Sequence, residues 1–216
     1  LALLSAIATM AVLAGRKVEE PGGQRCNLYL IGLAESGHGK DFALKQPGEL
    51  LAMAGNPDLV FLSEPTSDAG VLTFLKKSPS ALWSCDEFGK HFARVKKSKE
   101  GWQSAILDQL LKLFTSEGSA HYQGKGYAEE KSNYTLSYPH LTLLGATTPG
   151  PVLEALTGDD ISTGLLGRLL IVPGHPLSPI RERDKPNLPW QFIEFAKTWI
   201  AFKPGGTFAN AMGSMV

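Results

Sequence analysis

Two short stretches hold the residue types that chemistry on a phosphate group needs. The first is Ala34-Glu35-Ser36-Gly37-His38-Gly39-Lys40-Asp41, which follows an apolar run from Cys26 to Leu33. Glycines let successive backbone N–H groups converge on phosphate oxygens, and a helix that starts at the lysine adds positive potential. Lys40 would reach the β- and γ-phosphates. Two positions depart from the pattern G-x-x-x-x-G-K-[ST]. Ala34 stands where the first glycine belongs, and Asp41 stands where the magnesium-holding hydroxyl belongs. A carboxylate there can hold Mg2+ directly or through water, but it adds negative charge beside the phosphates. The plain alternative is a glycine-rich strand–helix turn with no ligand.

The second stretch is "SALWSCDEFG", where Asp86-Glu87 closes an apolar run. Asp86 would sit in the Mg2+ shell and Glu87 would polarise an attacking water. Alone, such a pair is usually the start of a solvated loop. Downstream of a Gly-Lys loop it points to nucleotide hydrolysis, because a small-molecule kinase has less need of a water activator. "LLGATTPG" offers Thr147, with Thr148 as alternate, to orient that water; a threonine capping a turn is the other reading. "GLLGRLLIV" carries Arg168 among apolar residues. It is either a finger reaching a neighbouring subunit's phosphate or a structural arginine paired with an acid.

Such residues need a frame, and the pattern supplies one. Apolar runs at 26–34, 58–64, 80–87, 140–149 and 169–174 read as strands. Segments at 1–15, 47–55, 69–78, 101–116 and 190–202 read as helices. In 101–116, Trp102, Ala105, Ile106, Leu110 and Leu113 share one face. Residues 119–138 read as a hairpin with a polar tip. Strands alternating with helices predict a three-layer α/β sandwich around a mostly parallel five-stranded sheet, with ligands at the strands' carboxyl ends. The basic run "GKHFARVKKSKEG", holding Lys90, Arg94, Lys96, Lys97 and Lys99, reads as a solvated loop, with phosphate contact as the rival.

The chain has 216 residues, with 21 Lys plus Arg against 21 Asp plus Glu, so a wholly basic coat for nucleic acid is excluded and a local patch is not. Cys26 and Cys85 lack metal or disulfide spacing, which suits a reducing cytoplasm. The opening "LALLSAIATMAVLAG" is too short for a confident span and lacks a basic start, so it reads as a buried helix and no membrane partner is expected. Because the chain opens on Leu1 inside that helix, it reads as one domain of a longer protein.

The order of "ESGHGKD", "LWSCDEFG", "LTLLGATTP" and "GLLGRLLIV" resembles the AAA+/superfamily 3 type of P-loop ATPase. The nearest likeness is to the helicase domains of phage and plasmid primase-helicase proteins. It covers roughly residues 1–175, the expected ATPase core. Residues 176–216 read as a linker and C-terminal helical segment, a possible partial lid, where Arg181 and Arg183 are weak sensor candidates. The resemblance implies ATP and Mg2+ as ligands and a homo-oligomer, a hexameric ring with Arg168 reaching the next subunit. It also implies single-stranded DNA in the pore, touched by the hairpin tip through Lys125 and Tyr127, although Glu129-Glu130 depart from a DNA-binding tip. Two rivals stay open. One is a ring ATPase that remodels or loads protein. The other is a non-catalytic nucleotide-binding assembly module, which Ala34 and Asp41 favour.

Overall fold

The computed structural model describes residues 1–97, 101–115, 121–123, 135–158, 163–174 and 187–204, with backbone alone at 101–104. Five strands make one sheet: β1 (Tyr29–Leu33), β2 (Val60–Phe61), β3 (Ser80–Cys85), β6 (His140–Thr147) and β7 (Leu169–Pro173). A separate stem pairs β4 (Tyr122–Gln123) with β5 (Thr135–Leu136) antiparallel. The main sheet runs β2-β3-β6-β1-β7 in space, and every pairing is parallel. The expected α/β sandwich with a parallel five-stranded sheet is therefore present. The second strand is shorter than its apolar run.

Strand parity sorts side chains between two layers. Tyr29 and Ile31 of β1, Trp83 and Cys85 of β3, and Leu141 and Leu143 of β6 face one core. Leu30, Leu82, Leu144 and Ala146 face the other. The first core is closed by α3 (Asp68–Lys77), α4 (Phe88–Lys97) and α5 (Gly101–Thr115), through Val71, Leu75, Phe92, Ile106 and Leu113. The short α6 (Pro149–Ala155) packs beside α4. The second core is closed by α1 (Ala2–Ala14), α2 (Lys40–Met53) and α7 (Trp190–Ala201), through Leu4, Ala8, Val12, Leu44, Leu51 and Ala196. Lys17, just past α1, donates to the Trp199 and Ile200 carbonyls at the end of α7, satisfying orphan acceptors of that helix. The opening apolar stretch is thus a core helix. Among the described residues, no helix is long and apolar enough to cross a membrane.

Two elements differ from their sequence expectation. The basic run is a helix, not a loop, as far as Lys97. Phe88, His91, Phe92 and Val95 fall at helical spacing and are buried, and this stripe pins α4 to the sheet while the charges face outward. The second difference is α2, which does not start at Pro47 but runs through it from Lys40. Pro47 has no N–H for the carbonyl of Ala43. Ser5 Oγ, from α1, donates to that carbonyl at 2.6 Å. One residue on, Ser84 Oγ of β3 donates to the Leu44 carbonyl at 3.0 Å. Two buried hydroxyls from other elements thus serve the turn that the proline disturbs.

Ser5→Ala is expected to destabilise the protein by about 1–3 kcal/mol in urea unfolding, because it leaves a buried acceptor unmet. The loss should shrink in a Pro47→Ala background, where residue 47 regains an N–H for Ala43. Equal losses in both backgrounds would show that the bond does not serve the bend. A pH effect arises at the opposite edge of the sheet. Burial, aided by the charges of Arg25 and Arg16, lowers His140 from an ordinary 6.5 to about 4. The unfolded chain therefore binds a proton in that window that the folded chain does not. Stability from His140 is complete above pH 6.5 and is lost as pH falls towards 4. In His140→Gln, the slope of unfolding free energy against pH should flatten in that window.

Candidate functional site

Register brings the sequence motifs to one edge. Leu33, the last residue of β1, pairs with Thr147, the last of β6, and Cys85 at the end of β3 pairs with Gly145. Glu87 lies two residues past Cys85, as Thr147 lies two past Gly145. The Gly-Lys loop, the Thr147-Thr148 pair and Asp86-Glu87 therefore leave three adjacent strands at the same end, with strand spacings of about 4.8 Å. The loop's root is pinned on both sides. Ala34 N–H donates to the Thr147 carbonyl at 3.0 Å, and Gly174 N–H donates to the Leu33 carbonyl at 2.6 Å.

Within the loop, Gly37 (φ 81°) and Gly39 (φ 71°) both adopt left-handed backbone, which side-chain-bearing residues rarely take. A methyl group on either would meet no atom within 4 Å, so the loop is open above them. Gly39 caps α2, and among the described residues no side-chain cap serves the start of that helix. Uncapped N–H groups at a helix start, beneath an open glycine loop, suit an anion such as a phosphate chain. Lys40 is buried, and its Nζ donates to the Ala34 carbonyl at 3.2 Å, closing the loop on itself. His38 Nδ1 lies 3.2 Å from the Ser36 carbonyl. Glu35, Ser36 and Asp41 are exposed, and Asp41 sits in the first turn of α2, where its charge also complements the helix dipole.

Asp86 is exposed and accepts a hydrogen bond from Glu87 N–H at 2.8 Å. Glu87 is half-buried and, among the described residues, one of two non-glycines with positive φ, at 49°. Its carboxylate pairs with Lys90 at 3.2 Å, an exposed contact that holds it only weakly. Among the described residues, no group of three His, Cys, Asp or Glu side chains forms a metal cluster. Mg2+ rarely uses one: it takes one or two carboxylates together with substrate phosphates and water. Asp86 and Asp41, both exposed, fit that pattern by donor type.

Thr147 and Arg168 both lie away from the open edge of their own chain. Thr147 is fully buried, and its hydroxyl donates to the Thr148 carbonyl at 3.3 Å, so it does not face the open edge. Thr148 is half-buried at the start of α6, and its side chain makes no cap. Arg168 precedes β7 and so lies at the amino-terminal edge, opposite the loop. Its Nη1 donates to the Gly164 carbonyl at 2.8 Å, and the guanidinium lies 5.6 Å from the Phe114 ring centroid. It does not join Lys40 and Glu87 within one chain. Lys99, Lys125, Tyr127, Glu129, Glu130, Arg181 and Arg183 lie outside the described residues.

Sequence reasoning missed one cluster at this edge. Glu64, past the end of β2, accepts from Arg94 Nη2 at 2.6 Å and lies 3.4 Å from His91 Nδ1. Burial alone would raise Glu64, but the hydrogen bond from Arg94 and the neighbouring His91 and Arg94 charges hold its carboxyl below the usual range. Burial lowers His91, with Glu64 opposing, and His91 Nε2 is buried without a hydrogen-bond partner. Burial also pushes the Cys85 thiol up to about 12, with Glu64 and Asp86 adding to the effect, so it is inert. Glu64 grips two residues on one face of α4 and so ties that helix to β2. The signal was available, since Glu64 ends an apolar run at the strand edge where ligands bind. Lys96 is engaged as well: its Nζ donates to the Ala155 carbonyl at 2.8 Å and Thr157 Oγ1 at 2.9 Å. Lys90, Arg94 and Lys96 thus each have a partner within the domain, while Lys97 is exposed.

A comparison with protein-family models finds none that matches this chain, and no curated protein matches it. The functional reading therefore rests on the geometry and on the motif resemblance.

Glu87→Gly is expected to raise unfolding free energy by on the order of 1 kcal/mol, because glycine accepts the left-handed backbone without strain. Thermal melting would measure it. A fall in stability would mean that the side-chain contacts of Glu87 outweigh the strain.

Proposed function

We propose that this domain binds ATP with Mg2+ at the β1–α2 loop and hydrolyses it, as the motor of a ring-forming DNA helicase. One observation carries the reading. Residues far apart in the chain, the Gly-Lys loop and the Asp86-Glu87 pair, leave strands at one edge with only β6 between them. The loop N–H groups and Lys40 would hold the phosphate chain, with Lys40 exchanging the Ala34 carbonyl for phosphate oxygen. Bound Mg2+ supplies charge neutralisation between phosphates, with Asp86 and Asp41 as its protein carboxylates. Glu87 would release Lys90 and take a proton from water. Thr148 is better exposed than Thr147 to orient that water. Arg168 would serve a neighbour's site, after leaving Gly164 and Phe114. The DNA assignment draws on the motif resemblance.

A second reading has its own support. Lys40 and Arg168 are both turned onto their own chain, which favours a nucleotide-binding assembly module without turnover. Phosphate release from MgATP separates the two. Turnover is expected in the wild type, stimulated by single-stranded DNA, and reduced about a hundredfold or more in Glu87→Gln. Binding of ATP without turnover would favour the module. Turnover indifferent to DNA would favour a protein-remodelling ATPase.

A further inference from the structure

We propose that Gly89 is a positioning residue: its missing side chain sets how closely Glu87 approaches the end of β6. This rests on the hydrolytic reading of the site. Gly89 is in the first turn of α4, two residues after Glu87. A methyl group there would stand 2.8 Å from Thr147 Oγ1, 2.9 Å from the backbone nitrogen of Val152 and 3.1 Å from Pro151 Cβ. Two of these three atoms belong to α6 and one to the last residue of β6. The nitrogen is backbone, so it cannot rotate aside. A second glycine answers from the facing strand. A methyl group on Gly145 would stand 2.8 Å from Ile31 Cδ1 of β1 and 3.0 Å from both Cβ and Cγ of Phe88. Gly145 thus leaves room for Phe88 as well as for Ile31, and with Gly89 it lets the first turn of α4 close onto β6. Glu87, with its left-handed backbone, is the turn that brings the chain down into that contact. Lys96, at the far end of α4, holds the last carbonyl of α6. The two helices are thus fastened at both ends. One follows the acidic pair directly and the other follows Thr148, so their spacing fixes the gap between Glu87 and the threonine pair. Misplacing a reacting group by about 1 Å costs on the order of a hundredfold in rate.

The test compares wild type, Gly89→Ala, Lys96→Met and the control Gly70→Ala. Gly70 is also helical, but a methyl group there makes only ordinary contacts of 3.7 Å or more. The measurements are kcat and KM for MgATP and amide exchange in α6. Gly89→Ala should lower kcat about a hundredfold, leave KM within about twofold and speed exchange at Val152, while Gly70→Ala changes none of these. Lys96→Met loosens the pair without a clash and should lower kcat in the same direction. Wild-type turnover that Gly89→Ala keeps within twofold overturns the role of Gly89 alone. If Gly89→Ala does not fold, an unchanged kcat in Lys96→Met overturns it. No turnover in the wild type overturns the hydrolytic reading and the role of Gly89 with it.

Discussion

The burial of β6 governs the rest of this structure. All eight of its residues are buried, and it lies between β3 and β1. A buried strand has no water to serve its N–H and C=O groups, so its neighbours must: β3 pairs with it from His140 to Gly145 and β1 from Leu143 to Thr147. Both faces must also be covered by apolar layers, which is why helices flank the sheet on each side. Because the neighbours are parallel, all strands end at one edge, and every loop with chemistry in it collects there. The candidate site follows from that topology, with Thr147 as its floor.

Several polar groups of α4 have partners within the domain. Arg94 and His91 hold Glu64, Lys96 holds α6, and Lys90 lies on Glu87. The helix that looks most basic in sequence therefore turns much of its charge to contacts at the domain's own surface. What remains open is the glycine loop above the start of α2, together with the carboxylates of Asp86 and Asp41. The edge thus offers backbone donors and acids, not a cationic surface.

Much of this was legible in the sequence, for physical reasons. The strands are apolar runs because both faces of a parallel sheet are buried. The Gly-Lys and Asp-Glu motifs could be placed because each follows such a run. The features that escaped depend on contacts between distant residues. Nothing local to α2 says that Pro47 is tolerated, since the serines that serve its bend lie on α1 and β3. Charged residues masked the stripe of Phe88, Phe92 and Val95 in α4. Thr147 could be assigned to a strand end, but its burial depends on Gly89 and α6. Arg168 stood out as a lone cation, and no pattern in sequence could show it folded onto Gly164 and Phe114.

The bend in α2 also bears on where that helix gets its stability. A segment with Pro47 and Gly48 at its middle is a poor helix on its own, and isolated helices of this length are marginal even with good formers. Its carbonyls at the bend are completed by hydroxyls from α1 and β3, so the helix owes its stability to docking on those elements and not to its own propensity. The glycine loop, tethered to its first turn, inherits that dependence, although it begins only one residue past a central strand.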